Sequence, residues 1–292
     1  MSAALRSALT KTRDFGSLVM FSHTLFSLPF AIISIVWAAG GLPDWRVVLA
    51  SLLALVAARN GANAFNRLAD REFDAANPRT AHRHLPQKRL GVREVWIFVI
   101  VNYAIFVAAA GMLNPLCLIL SPVAIFLISS YSYTKRFTWL SHLYLGFTIA
   151  SAPIGAWFAV TGTFAFTPFV LGTIVMLWIG GFDILYGTQD IDFDRAHGLH
   201  SIPSAFGLKP ALYISRFLHL VMVGLLLFLF FFRDLGAWYL IGIGLAGFLL
   251  LLEHGIVKPH NRRLMQIASY NLNQVISLLI LSFTMLDYFW MI

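Results

Sequence analysis

Apolar residues run through this chain in blocks of about 20, the length a helix needs to cross the hydrocarbon core of a bilayer. The blocks are apolar on every side rather than along one stripe, which sets them apart from the amphipathic helices of a water-soluble bundle. They predict about nine membrane helices, near 16–38, 47–66, 94–112, 115–134, 140–161, 167–187, 210–232, 236–254 and 268–289. Connections on one side are short, such as "GMLNP" and "TGTFAF", whereas the longest follow the second and sixth blocks. Function is expected on the side that carries those long connections.

Composition agrees with an all-α polytopic membrane protein: of 292 residues, 59% are hydrophobic and only 12% charged. The formal charge of +8 does not point to nucleic acid, because the basic residues sit in loops between apolar blocks rather than on one helix face. Arg6, Lys11 and Arg13, then 67–93, Lys135 and Arg136, Arg195 and Lys209, and 258–263 all fall on one side, leaving Arg46 and Arg233 on the other. The positive-inside rule then predicts a cytoplasmic N-terminus, cytoplasmic long loops and an external C-terminus. No small-residue cleavage site closes the first apolar block, so it is expected to stay as a span. Cys117 is the one cysteine and lies in an apolar block, which excludes a disulfide framework and a cysteine metal site. One domain is expected over 1–292.

The two long connections hold seven of the thirteen acidic residues: Asp70, Glu72 and Asp74 in one, Asp183, Asp190, Asp192 and Asp194 in the other. On a helix of 100° per residue, Asn66, Asp70 and Asp74 fall within about 80° of one another, and Asn63 and Arg59 extend the same stripe into the membrane. In "DILYGTQDIDFD", Asp183, Asp190 and Asp194 fall within about 40° if the helix continues, with Tyr186 beside them and Asp192 pointing away to solvent. Carboxylates gathered this way repel unless a cation lies between them, and hard oxygen donors suit Mg²⁺. Mg²⁺ shares its shell with waters and phosphate oxygens, so a phosphorylated substrate is expected. Arg67, Arg71, Arg79, Arg83, Lys135 and Arg136 are placed to hold phosphate oxygens. The bland alternative is that the acids simply pair with those basic residues at the membrane rim.

These residues resemble the signatures of the UbiA family of intramembrane prenyltransferases. Its N-x-x-x-D-x-x-x-D motif is matched by Asn66, Asp70 and Asp74, followed by "RTAHRHLP". Its D-x-x-Y-x-x-x-D-x-x-x-D motif is matched by Asp183, Tyr186, Asp190 and Asp194, followed by "GLHSIPSAFG". Arg67 departs from the Asp often found after the Asn. The resemblance covers nearly the whole length, and "FSHTLFSLPFA" and "YSYTKRFTWLSHLYLG" are similar to the bacterial branch that prenylates 4-hydroxybenzoate and its menaquinone-pathway relatives. It implies a helical bundle around a central cavity open to lipid in the bacterial inner membrane. It further implies Mg²⁺ ions held by Asn66, Asp70, Asp74, Asp190 and Asp194, and a polyprenyl diphosphate as donor in ubiquinone or menaquinone biosynthesis.

Prenylation of a small aromatic acceptor breaks an allylic carbon–oxygen bond and lets an electron-rich ring attack the cation. Aromatic walls stabilise that cation without capturing it, and Tyr131, Tyr133 and Tyr186 lie near the relevant span ends. Arg59 or Lys135 suits an acceptor carboxylate, although Arg59 alternatively neutralises Asp70. His23 is either a packed polar residue or a contact to the acceptor. Asp183 is the candidate for removing the ring proton. "NLNQ", 271–274, reads as interhelical hydrogen bonding. Competing readings are a dihydroxynaphthoate, haem or other lipid acceptor, and an ion-coupled transporter; the last conflicts with acids at span ends rather than at the midplane. A CDP-alcohol phosphotransferase lacks its compact acidic motif here.

Overall fold

The computed structural model describes residues 11, 14–19, 24–258 and 261–290, which divide into two compact units, 1–24 with 44–133 and 25–43 with 134–292. Every regular element among the described residues is helical, and eight helices are long and apolar enough to cross a membrane. The predicted first span is represented by the shorter α1 (Thr24–Ala39), part of the 16–38 block lying outside the described residues. The other spans fall within a few residues of their predicted ends, except that the sixth runs on through its kink to Ala196 and the last begins earlier, at Arg263.

The first unit contains α2 (Trp45–Ala69), α3 (Arg71–Ala76), α4 (Val92–Leu113) and α5 (Pro115–Thr134). Helix α2 buries a row of small residues, Ala50, Ala54, Ala57, Gly61 and Ala64. Small residues at this spacing let membrane helices approach closely, since lipid gives no hydrophobic drive for their association. Gly61 shows why: a Cβ there would overlap the Tyr103 ring of α4, whose hydroxyl is 2.8 Å from Ser129 Oγ on α5. Below this seam, Ala64, Leu68, Leu85, Leu90, Val95 and Val99 form a buried cluster that closes the loop 77–91 against α2 and α4.

The second unit contains α1, α6 (Ser141–Thr161), α7 (Phe166–Gly187), α8 (Ile191–Ala196), α9 (Ile202–Phe206), α10 (Leu208–Phe232), α11 (Ala237–Ile256), α12 (Arg262–Gln266) and α13 (Asn273–Trp290). Helix α7 is buried on nearly all sides. Helix α6 lies so close to it that a Cβ on Gly146 would collide with the Met176 carbonyl. Ser215 on α10 donates to the Gly181 carbonyl of α7 at 2.7 Å, and Asp287 of α13 accepts from the Gly236 and Tyr239 amides, capping the start of α11. A π-helical turn, Ile267–Leu272, leads into α13 and sets Asn273 in the bundle. There Asn273 accepts from Trp178 Nε1 at 2.6 Å and donates to Glu253 Oε1 at 2.8 Å, the interhelical bonding expected of "NLNQ".

The continuous helices assumed through the two acidic stretches are not what forms. Helix α2 stops at Asp70 (φ −97°, ψ 8°) and α7 gives way to a 3₁₀ turn, Thr188–Asp190, with Asp190 at φ −108°, ψ 8°. Both aspartates occupy the sparsely allowed region between helix and strand, where functional residues often sit. A six-residue helix follows each, α3 and α8.

Candidate active site

The two breaks share one local plan. "DREFD" and "DIDFD" each place an Asp at the kink, a solvent-facing acid two residues later, then Phe, then a buried Asp in the short helix. The four-residue spacing therefore survives the kink, because the Asp74 amide still bonds the Asp70 carbonyl at 2.7 Å. Asp192 is exposed, as expected.

In the first unit, Asn66 Nδ2 donates to Asp70 Oδ2 at 2.8 Å and lies 3.4 Å from Ser132 Oγ. Asp74 is buried and held by Arg83 Nη1 at 2.5 Å, with Arg67 Nη1 at 3.7 Å. The following loop is organised around it: Thr80 Oγ1 donates to the Asp74 carbonyl, and the Arg79 amide donates to Asn77 Oδ1. Arg59 lies one to two turns deeper, with Tyr131 close enough to it and to Arg67 for electrostatic interaction. The Arg59 Nε is buried with no hydrogen-bond partner. Asn63 donates to the Val19 carbonyl at 2.6 Å, so this member of the stripe ties α2 to the preceding segment. Tyr133 is exposed and packs edge-on to Phe65. His23 lies outside the described residues.

In the second unit, Asp194 is buried and accepts from Lys135 Nζ at 3.4 Å and Ser201 Oγ at 2.9 Å. Burial pulls the Lys135 ammonium down, but the nearby Asp194, Asp190 and Asp183 outweigh it and hold its pKa above the ordinary lysine value. Ser201 also caps α9, accepting from the Ser204 amide while Ser204 Oγ accepts from the Ser201 amide. Arg195 Nε donates to the Ser204 carbonyl at 2.8 Å. The stretch "GLHSIPSAFG" thus folds back onto Asp194. The Tyr186 ring stands edge-on to Tyr270 with centroids 5.2 Å apart, and Arg136 is exposed. Asp183 Oδ2 lies 2.6 Å from His142 Nδ1.

Sequence reasoning missed three of these partners, Ser132, Ser201 and His142. A histidine inside the apolar block "SHLYLGFTIASAPIG" was the available signal, since ionisable groups in spans are rarely incidental.

The donor sets suit different charges. Lys135 touches Asp194 at 3.4 Å and feels Asp190 and Asp183 from farther off, a negative excess that a divalent cation relieves, whereas Arg67 and Arg83 flank Asp74 with Asp70 close by, and their guanidinium groups suit phosphate oxygens. Among the described residues of either unit, no three His, Cys, Asp or Glu side chains gather closely enough to hold an ion alone. Mg²⁺ takes one or two protein carboxylates and fills its shell with water and substrate oxygens.

The profile of the UbiA prenyltransferase family matches residues 27–279, across both units. A 4-hydroxybenzoate octaprenyltransferase of Vibrio campbellii is 31% identical over 264 residues, 90% of each chain. One from Xanthomonas oryzae pv. oryzae is 31% identical over 252 residues, 86% of this chain and 81% of that one. Among solved structures, the apo form of a UbiA homolog from Aeropyrum pernix K1 is 32% identical with a TM-score of 0.82, covering 91% of this chain and 98% of that one. A UbiA homolog from Archaeoglobus fulgidus, bound to DMAPP and Mg²⁺, shares the fold at 18% identity with a TM-score of 0.70, covering 94% of this chain and 99% of that one.

Proposed function

Because the chain belongs to the UbiA prenyltransferase family, whose members transfer a prenyl group to an acceptor, we propose that it moves a polyprenyl group from polyprenyl diphosphate to a small aromatic acid of the 4-hydroxybenzoate type. The observation that carries the reading is the repeated plan of kinked Asp and buried Asp, each buried carboxylate already held by a basic side chain. Relatives about 30% identical over 90% of the chain support the choice of acceptor. The product is a quinone precursor made at the bacterial inner membrane, with the N-terminus and both acidic stretches on the cytoplasmic side.

The protein residues divide the work. Asn66, Asp70 and Asp74 in the first unit, and Asp190 and Asp194 in the second, would hold Mg²⁺, which would supply Lewis-acid stabilisation of the departing diphosphate. Arg67, Arg79, Arg83, Lys135 and Arg136 bind phosphate oxygens, a contact that strengthens as negative charge develops on the leaving group. The Asp74–Arg83 pair holds the guanidinium in place before the donor arrives. Tyr131 and Tyr186 present ring faces to the allylic carbon, and the edge-on contact with Tyr270 fixes the second of them. The Arg59 Nε, buried and without a partner, receives the acceptor carboxylate. As the ring attacks, the allylic C–O bond breaks and a C–C bond forms; the ring C–H proton then leaves to Asp183. The spans exclude water, which otherwise captures the cation as an alcohol.

A transfer assay on purified protein tests the whole reading, using labelled polyprenyl diphosphate and Mg²⁺ with 4-hydroxybenzoate or a dihydroxynaphthoic acid, each with an EDTA control. Labelled aryl product with 4-hydroxybenzoate, lost in EDTA and in Asp70→Ala and Asp190→Ala, is expected. Product with the naphthoic acid alone moves the acceptor to the menaquinone side. Full activity of folded Asp70→Ala or Asp190→Ala overturns the metal and diphosphate assignment.

A further inference from the structure

His142 is the second residue of α6, 1% exposed, and faces α7 where the two helices are in close contact. Its Nδ1 is 2.6 Å from Asp183 Oδ2, so Nδ1 carries the proton and donates it into the carboxylate. The other ring nitrogen, Nε2, is buried with no partner. Four residues beyond Asp183, Gly187 leaves the space the imidazole fills: a Cβ there would press on His142 Cε1, with Nε2 and a Pro203 ring carbon close behind. The ring is therefore packed against α7 at Gly187, and among the described residues its hydrogen-bond partner is Asp183.

Asp183 differs from the other aspartates of its stretch. Asp194 is buried and bound by a lysine and a serine, whereas the Asp183 side chain is 23% exposed and makes, among the described residues, the single hydrogen bond to His142. One oxygen is anchored and the other is open. A carboxylate tied down at one oxygen by a rigid donor is oriented as a base at the other, as general base catalysis requires.

We propose that His142 is a positioning residue for the transfer reaction, fixing Asp183 so that its Oδ1 takes the proton from the prenylated ring. This rests on the reading of Asp183 as the base. The diphosphate leaves with the electron pair of the C–O bond, and a ring π pair forms the C–C bond. The C–H pair then restores aromaticity as the proton passes to Asp183. His142 exchanges no atoms with either substrate. The Gly in "LYGTQD" is required because any side chain there displaces the imidazole.

The experiment measures aryl product and released diphosphate together in His142→Leu, His142→Asn, Gly187→Ala and Asp183→Asn, each with a thermal melt of the purified protein. Ionisation of the donor does not need the base, so His142→Leu is expected to lower aryl product kcat by about a hundredfold. The donor KM stays within twofold and diphosphate release continues: the ring adduct that keeps its proton reverts, water that enters the site captures the allylic cation as prenol with loss of a proton, and diphosphate formed per prenylated ring rises well above one. His142→Asn keeps an N–H donor near the Nδ1 position and is expected to recover most of the coupling. Gly187→Ala, which leaves His142 in the chain but pushes its ring, is expected to uncouple like His142→Leu. Product and diphosphate falling together at a constant ratio in His142→Leu, or coupling unchanged in both His142→Leu and Gly187→Ala, overturns the positioning role. Asp183→Asn separates this failure from that of the base: full aryl transfer there removes Asp183 as the base, whatever the His142 variants do. Should His142→Leu not fold, Gly187→Ala against His142→Asn decides by the same ratio.

Discussion

Replacing Ser201 by Ala removes a helix cap and a carboxylate contact at once, together with a contact to Ser204 Oγ at 3.0 Å. The hydroxyl accepts the Ser204 amide at the start of α9 and donates to Asp194 at 2.9 Å. Loss of a serine N-cap costs about 1 kcal/mol, and loss of a hydrogen bond to a charged group costs about 1.5 to 3 kcal/mol. The contacts share one oxygen and are not additive, so about 2 kcal/mol is the working figure for local opening. Asp194 keeps Lys135, at 3.4 Å, and the bundle keeps its core, so the cost falls on the segment between α8 and α10 rather than on global unfolding. Amide hydrogen exchange in nanodiscs reads this directly. Protection of residues 199–206 is expected to drop about thirtyfold, the equivalent of 2 kcal/mol at about 1.4 kcal/mol per decade. Protection in α6 and α7 should stay unchanged. Ser201→Thr retains an oxygen cap in the same extended conformation (φ −147°, ψ 160°) and is expected to keep protection within a fewfold of the natural protein. If Ser201→Ala exchanges like the natural protein, the fold of this segment does not depend on Asp194 and the role assigned to "GLHSIPSAFG" is wrong.

Gly61→Val drives a side chain into the Tyr103 ring and is expected to destabilise by about 1 to 3 kcal/mol, visible as a lower Tm in detergent; an unchanged Tm means that α2 and α4 separate freely. Asn273→Leu strands Trp178 Nε1 and Glu253 Oε1 inside the bundle and is expected to cost about 1 to 3 kcal/mol by the same melt; a rise in Tm shows the network to be dispensable for stability. Arg59→Gln is expected to raise the KM for the aromatic acid at least tenfold, about 1.4 kcal/mol, with the donor KM unchanged; an unaffected acceptor KM removes Arg59 from that role.

Span lengths were legible because the bilayer dictates them: about 20 apolar residues leave little freedom, and positions such as Pro115–Thr134 and Ser141–Thr161 follow closely. The breaks at Asp70 and Asp190 were not legible, since a 3.6-residue pattern reads the same whether or not one residue leaves the helical region. The four-residue spacing that sets Asp74 and Asp194 after the kinks was legible, but which side chains pair with them, Arg83 and Ser201 among them, depends on how a loop closes, a non-local matter. His142 sits 41 residues from Asp183 in sequence, and no periodicity connects them. The π turn before Asn273 likewise answers to packing rather than to composition.

One local plan stands in two electrostatic settings. In both stretches an Asp kinks the backbone and another, four residues on, is buried; burial of a carboxylate demands a counter-charge or hydrogen bonds. Around Asp74 the chain supplies guanidinium groups, Arg83 from the following loop at contact distance and Arg67 from the end of α2 nearby, both rigid anion-binding donors. Around Asp194 it supplies Lys135, from the loop before α6, and the Ser201 hydroxyl, which leaves the carboxylates of Asp183, Asp190 and Asp194 in excess over positive charge. A guanidinium fork matches phosphate oxygens bidentately, whereas surplus carboxylate attracts a hard cation. The identity of a few partner side chains therefore gives the same backbone device a guanidinium-paired carboxylate in one unit and a lysine-paired carboxylate with surplus negative charge in the other.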